Sequence, residues 1–189
     1  YAFSVYVPTT TLADPEEMES IFEIQSFYTG LELPLALNIF DDAWSIAVSW
    51  SANPGGPGAT LIGMQNEDVQ IGTVAKGVWT DWAFKVKWSH LSDGSIEVWK
   101  NGLLVTTRQG GNNYDVTTGH HIRTGIRKPA WKTIGATPTW NDRTYYVANW
   151  IIGDGVLTIA EVSPPRIVSK KAKARLLRQG VGLGMRAGT

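Results

Sequence analysis

The sequence predicts an all-β fold, an antiparallel β-sandwich, on three observations. Short segments alternate apolar and polar residues at the two-residue period of a strand with one buried face. Turn signals separate these segments, among them Asp93-Gly94 and Asn101-Gly102. The 189 residues include 9 Trp, 6 Tyr and 5 Phe, and aromatic side chains fill the cores of packed sheets well.

The predicted strands follow one another from the first residue. The clearest lies at 80–89, where Trp82 and Phe84 share one face and the lysines between the apolar residues share the other. Asp41 and Asp42 are expected to form the turn of an earlier hairpin. The predicted strands are 1–7, 20–27, 35–40, 44–51, 80–89, 95–100, 103–108, 120–127, 144–152 and 156–162.

Charge divides the chain into two parts. Residues 163–189 contain seven basic and no acidic side chains, whereas residues 1–162 contain 10 basic and 17 acidic ones. We therefore predict a sandwich domain over 1–162 and a basic, glycine-containing tail over 163–189. A short helix is expected at 170–179, after a capping serine and before a glycine stop.

Several classes of site are disfavoured by the composition. The chain has no Cys, which excludes disulfides, thiolate metal sites and a Cys nucleophile. The glycine-rich stretch 53–58 lacks the Lys-Ser/Thr pair of a phosphate-binding loop. Because His120 and His121 are adjacent on a strand, they point to opposite faces and cannot hold one metal together. No metal, cofactor, nucleic acid or membrane partner is expected.

A glycosidase site is also disfavoured. Glu19 and Glu23 share a strand face, but four residues separate them by about 13 Å at the rise of a strand. Retaining glycosidases need carboxyl groups about 5–5.5 Å apart, and inverting ones about 6.5–9.5 Å. Asp41, Asp42 and Asp154 could contribute to a calcium site, although the preference of Asp for turns explains them better.

One set of polar side chains remains as a candidate ligand-binding site. Its members project from the polar faces of three predicted strands: Glu23, Gln25, Lys85, Lys87, His121, Arg123 and Arg127. If these faces line one sheet, they form a groove for an acidic sugar, because Arg side chains match carboxylates. A solvated outer face is the alternative, since antiparallel sheets commonly expose one polar side.

Two segments carry a resemblance to a known family. Residues 77–89, GVWTDWAFKVKWS, followed by 94–102, GSIEVWKNG, resemble the polysaccharide lyase family that includes heparin lyases and glucuronan lyases. The resemblance covers 1–162 and implies a concanavalin A-like β-jelly roll. Three shorter segments also fit the family pattern: 1–8, 33–37 and 152–154.

The catalytic pattern of that family does not carry over to this sequence. The resemblance implies abstraction of the proton α to a uronic carboxylate by His and Tyr, with cations neutralising the acid. The family's Gln-x-His strand falls on Glu23 to Gln25, so Gln25 stands at the His position. Its Lys-x-Gly-x-Tyr strand falls on Arg123 to Arg127, so Arg127 stands at the Tyr position. Gln cannot titrate and Arg stays protonated, so no catalytic residue is predicted.

Three functional hypotheses follow. The first is a non-catalytic glycan-binding or structural domain of a larger assembly, such as a phage particle or surface fibre, extracellular or in a virion. Its partners would be other protein subunits and an acidic polysaccharide. The second is an active lyase that cleaves a uronate polysaccharide by β-elimination with other residues, for example Tyr145, Tyr146 or His121. The third is a purely structural module. Because Tyr1 begins inside a strand, we also expect strands from upstream sequence or a neighbouring chain.

Overall fold

The computed structural model describes residues 1–12, 14, 16–27, 31–54, 63–115, 119–128, 143–153, 158 and 161. Within these residues the chain forms eleven strands. They are β1 (Ala2–Tyr6), β2 (Glu19–Ser26), β3 (Leu35–Phe40), β4 (Ala43–Pro54), β5 (Gln65–Thr73), β6 (Trp79–Lys87), β7 (Ser95–Lys100), β8 (Leu103–Gln109), β9 (Tyr114–Asp115), β10 (His120–Arg127) and β11 (Tyr146–Ile151).

The strands form two sheets packed face to face. One sheet has the order β11-β1-β6-β7-β8, and the other has the order β10-β2-β3-β4-β5. The short strand β9 pairs in parallel with the end of β4, whereas the pairs along the two sheet orders are antiparallel. The prediction of an all-β antiparallel sandwich is therefore confirmed.

Aromatic side chains from both sheets fill the space between them. Phe22 lies with its ring centroid 5.0 Å from that of Phe3 and 5.3 Å from that of Phe84. Trp44 and Trp82 meet edge to face at 5.1 Å, and both are fully buried. These tryptophans are core residues, which accounts for much of the aromatic content, because each large ring buries an extensive apolar surface.

The two hairpins signalled in the sequence have the expected turns. Asp41 and Asp42 have φ angles of 47° and 58°, and Asn101 and Gly102 have φ angles of 51° and 78°. Two consecutive residues with positive φ define a type I′ turn, whose twist matches that of the flanking strands. These turns fix the β3–β4 and β7–β8 registers.

The structure differs from the predicted elements in two strands. β5 and β9 were not predicted. The predicted strand at 156–162 is described only at Thr158 and Glu161, and the tail at 163–189, with its helix at 170–179, lies outside the described residues. In the described part of the chain, no helix has the length and apolar character needed to cross a bilayer.

Candidate active site

The candidate site lies on the outer face of the β10-β2-β3-β4-β5 sheet. Along β2, Phe22 and Ile24 point into the core and are fully buried. The alternation of a strand then directs Glu23 and Gln25 to the outer face. In the antiparallel register Arg123 lies opposite Glu23 and His121 lies opposite Gln25. Four of the predicted polar side chains are thus brought together on two neighbouring strands.

A groove of about 470 Å³ opens on this face, along the β2–β10 pair. Between Thr124 and Arg127 the register shifts by one residue, and Gly125 in this stretch has φ 139°. This bulge places Arg127 opposite Ser20, and bulges commonly redirect side chains beside functional sites. The lining residues are Ser20, Ile21, Glu23, Arg123, Thr124, Gly125, Ile126, Arg127 and Lys128.

The charges on the groove are unevenly paired. Arg127 Nη1 lies 3.3 Å from Glu23 Oε1, and the Glu23 side chain is only 4% exposed. Arg123 is exposed and has no ion pair with any residue that the structure describes. Arg123 is therefore the cation available to an incoming carboxylate, and its planar guanidinium can bind both carboxylate oxygens.

His121 is held by its cross-strand neighbour. Its Nε2 lies 3.1 Å from Gln25 Oε1, and its ring lies 5.2 Å from the ring of Phe27. In the tautomer that donates from Nε2 to this oxygen, Nδ1 carries no hydrogen. Nδ1 is buried and has no hydrogen-bond partner in the described part of the chain. His121 thus lies on the same strand face as Arg123, two residues away, and just outside the residues that line the groove.

A buried ion network closes one end of the groove. Lys128 Nζ contacts Asp14 and lies 3.2 Å from Glu17 and 3.3 Å from Glu19. Arg143 Nε also donates to Glu19, at 2.5 Å. Burial alone would lower the pKa of Lys128, but hydrogen bonds to these three carboxylates hold that pKa above its ordinary value. The charge of Lys128 is therefore already compensated by protein carboxylates.

The tyrosines considered from the sequence do not line this groove. Tyr145 donates its hydroxyl hydrogen to Glu19, and burial together with this bond raises the pKa of Tyr145 well above its ordinary value. Tyr146 belongs to β11 in the other sheet, where its ring packs edge-on against Tyr6 at 5.9 Å. Neither side chain is placed to exchange a proton with a sugar in the groove.

Tyr114 is a residue that the sequence analysis missed. It lies opposite Ser51 in the parallel β4–β9 pair. Its hydroxyl is buried without a hydrogen bond of normal geometry to a described residue. Burial raises the pKa of Tyr114 to about 12, with the nearby Ser49 hydroxyl acting in the opposite direction. Only the fold reveals this position, because a two-residue strand leaves no periodic pattern.

The other two predicted site residues lie elsewhere. Lys85 and Lys87 are on the outer face of β6, in the other sheet and across the core from the groove. There Lys85 Nζ lies 3.7 Å from Glu97 and Lys87 Nζ lies 3.0 Å from Asp93, with side chains 60% and 62% exposed. The two lysines therefore form solvated pairs on the opposite surface of the sandwich.

No described group of three or more His, Asp or Glu side chains is arranged to hold a metal ion. The Asp42 carboxylate, considered as a calcium ligand, is instead paired with Lys76 at 2.7 Å. Asp154 lies outside the described residues.

Comparison with known proteins shows which family the chain belongs to. A family model described as polysaccharide lyase matches residues 1–150. The chain belongs to the polysaccharide lyase family. The structure of this lyase-family chain is similar to the crystal structure of an endo-β-1,4-glucuronan lyase from the fungus Trichoderma reesei, with a TM-score of 0.67 and 14% sequence identity. That match covers 87% of this chain and 70% of the fungal one. No curated protein matches the sequence.

These findings confirm the resemblance and the predicted fold, and they correct the predicted function. The first hypothesis, a non-catalytic domain of a phage particle or surface fibre, is contradicted by the family match, which supports the lyase alternative and gives no support to a virion. The hypothesis relied on the absence of His at position 25. In the structure His121 lies directly across from Gln25, on the neighbouring strand. Family membership also implies a polysaccharide substrate.

Proposed function

We propose that this protein cleaves an acidic, uronate-containing polysaccharide by β-elimination in the groove between β2 and β10. The observation that carries the proposal is the pairing of His121 with Gln25 beside Arg123, on the outer face of a lyase-family sandwich. An imidazole and an unpaired guanidinium on one face supply the two functions that the reaction needs. These are a proton acceptor and a partner for the uronate carboxylate.

Arg123 acts first in this scheme. Its guanidinium binds the carboxylate of the uronic acid, because the two planar groups can form two parallel hydrogen bonds. Neutralising the carboxylate makes the hydrogen on the adjacent ring carbon, C5, more acidic, since negative charge develops there as the proton leaves. The donors of Arg123 therefore stabilise the transition state more than the ground state.

His121 then takes the C5 proton at Nδ1, which is buried in the free protein and has to become accessible when the sugar binds. The electron pair of the C5–H bond forms the C4–C5 double bond, and the bond from C4 to the glycosidic oxygen breaks. The leaving oxygen receives a proton from the imidazolium, which returns His121 to its neutral form. Gln25 keeps the ring oriented by accepting the Nε2 hydrogen, as orienting groups do for catalytic histidines elsewhere.

The test is an incubation with uronate polymers, glucuronan first, because the similar fungal structure is named a glucuronan lyase, then alginate and heparin. Cleavage by elimination creates one unsaturated uronate per bond, which absorbs in the ultraviolet. We expect absorbance to rise with at least one polymer. New reducing ends without absorbance would indicate hydrolysis, and no cleavage of any uronate polymer would contradict the proposal.

A matched pair of histidine variants locates the reaction. His121→Asn is expected to lower the elimination rate by about 10²–10⁴-fold, the usual contribution of a positioned proton acceptor. His90→Asn is the control, because His90 lies 3.9 Å from Asp115 and outside the β2–β10 pair, whereas His121 lies opposite Gln25 within it. Equal rates for the two variants would remove His121 from the mechanism.

A further inference from the structure

We infer that Glu23 restricts the groove to polymers that carry one negative charge per sugar, so that sulfated polysaccharides are excluded. This rests on the proposed function, since it takes the groove as the polymer site, and it names the substrate class more narrowly. Glu23 would then be a specificity-determining residue. It adds a negative charge to the floor of a groove that has to receive an anion.

The charge balance of the lining residues is the first support. Three cations line the groove: Arg123, Arg127 and Lys128. Glu23 pairs with Arg127, and the buried carboxylates at the groove's end pair with Lys128. Among the described lining residues, only Arg123 lacks a carboxylate partner. The groove therefore offers one free positive charge, which one uronate carboxylate neutralises.

The burial of Glu23 is the second support. Its side chain is 4% exposed, whereas that of Arg127 is 48% exposed. Water screens a buried charge less than an exposed one, so this carboxylate acts on a nearby anion more strongly than an exposed one would, although Arg127 compensates it in part. A sulfate placed beside it would face a like charge with no free cation left to compensate. Such juxtaposition is a recognised means of rejecting a wrong partner.

The other sheet provides a matched control. Glu97 lies opposite Lys85 in the β6–β7 register, as Glu23 lies opposite Arg123 in the β2–β10 register. Glu97 also pairs with a cation, at 3.7 Å, but it faces solvent on the far side of the sandwich. Replacing either Glu with Gln removes one charge and keeps the side-chain shape.

The experiment measures binding of size-matched glucuronan and heparin oligosaccharides by calorimetry, in a His121→Asn background that prevents turnover. The parent is expected to bind glucuronan more tightly. Glu23→Gln should tighten heparin binding by at least about tenfold relative to glucuronan. Glu97→Gln should leave the ratio of the heparin and glucuronan dissociation constants unchanged. The double variant Glu23→Gln/Arg127→Gln has the parent's net charge, so its ratio should return toward that of the parent. Thermal melting of each variant checks the fold.

Three results would overturn the inference: heparin bound as tightly as glucuronan by the parent, an unchanged ratio in Glu23→Gln, or binding of neither polymer. The double variant decides the mechanism, because a purely steric role of Glu23 would not restore the ratio. The elimination assay on the unmodified protein is read separately. A charge-dependent binding preference without elimination would reject the proposed function alone, and elimination with an unchanged ratio would reject this inference alone.

Discussion

The two outer faces of the sandwich look alike in sequence and differ in structure. On each face a carboxylate on one strand lies opposite a cation on the next, Glu23 opposite Arg123 and Glu97 opposite Lys85. Glu23 is 4% exposed beside a groove, whereas Glu97 is 32% exposed and its lysine partner is 60% exposed. The alternation of side chains along a strand therefore places charges on both outer faces. The burial of the carboxylate then decides on which face it can act strongly on a ligand.

The difference has energetic consequences. Exposed ion pairs contribute about 0–1 kcal/mol, because water competes for both charges. A buried charge that loses its partner costs about 3–5 kcal/mol. Mutations on the groove side should therefore have large effects on stability or activity, whereas the same chemistry on the β6–β7 face should have small ones.

The largest expected effect concerns the buried network at the groove's end. Lys128→Met leaves Asp14, Glu17 and Glu19 without the cation they surround. We expect a loss of about 3–5 kcal/mol in the free energy of unfolding, measured by urea denaturation. Lys85→Met, on the other face, should change it by no more than about 0.5 kcal/mol. Equal losses would show that burial does not separate the two faces.

The next effect concerns catalysis. Arg123→Gln removes the only groove cation without a carboxylate partner among the described lining residues, and it should lower kcat/KM for a uronate polymer by about 10²–10³-fold. The variant should melt like the parent protein, since Arg123 is exposed. Lys85→Gln serves as the control and should keep full activity. An Arg123→Gln enzyme with nearly full activity would place carboxylate binding elsewhere.

The pH dependence of stability should distinguish the neighbouring residues Tyr145 and Tyr146. Burial and the bond to Glu19 raise the pKa of Tyr145 in the folded protein. Above about pH 10 the unfolded chain loses this proton while the folded chain keeps it, so stability falls as pH rises. The slope from Tyr145 should approach about 1.4 kcal/mol per pH unit. Tyr145→Phe should reduce this decrease in the free energy of unfolding at alkaline pH. Tyr146→Phe should not reduce it, because the Tyr146 side chain is exposed.

The sequence predicted strands where the alternation of residue types is clear and missed the two strands where it is weak. β3, β7 and β10 have the predicted bounds, because apolar residues alternate along the first two and a polar face marks the third. β5 was missed since Val69 and Ile71 are its only apolar residues among nine. This edge strand has little core-facing periodicity to detect, and it is held by its pairing with β4, by Ile71 in the core and by the Glu67–Arg108 ion pair.

The site shows a similar limit. Periodicity correctly grouped Glu23 with Gln25 and His121 with Arg123, because each pair shares one strand face. It could not show that β6 belongs to the other sheet, which removes Lys85 and Lys87 from the groove. Nor could it show that His121 meets Gln25, because 96 positions separate them and only the β2–β10 register joins them.

The smallest effect tests this register directly. Gln25→Leu keeps the size of the side chain and removes the oxygen that accepts from His121 Nε2. Because Gln25 pairs with the imidazole and does not itself line the groove, we expect it to act as a positioning residue. Its loss should lower kcat by about tenfold, less than removal of the proton acceptor itself. KM and thermal stability should change little.

The pH profile distinguishes positioning from a general disturbance. Without the Gln25 oxygen the tautomer of His121 is no longer fixed, so the acidic limb of the kcat profile should shift while the pattern of polymers cleaved stays the same. Gln25→Glu restores an acceptor and should recover much of the rate, because a carboxylate oxygen can hold the same Nε2 hydrogen. A Gln25→Leu enzyme whose rate and pH profile match those of the parent would show that His121 works without its cross-strand partner.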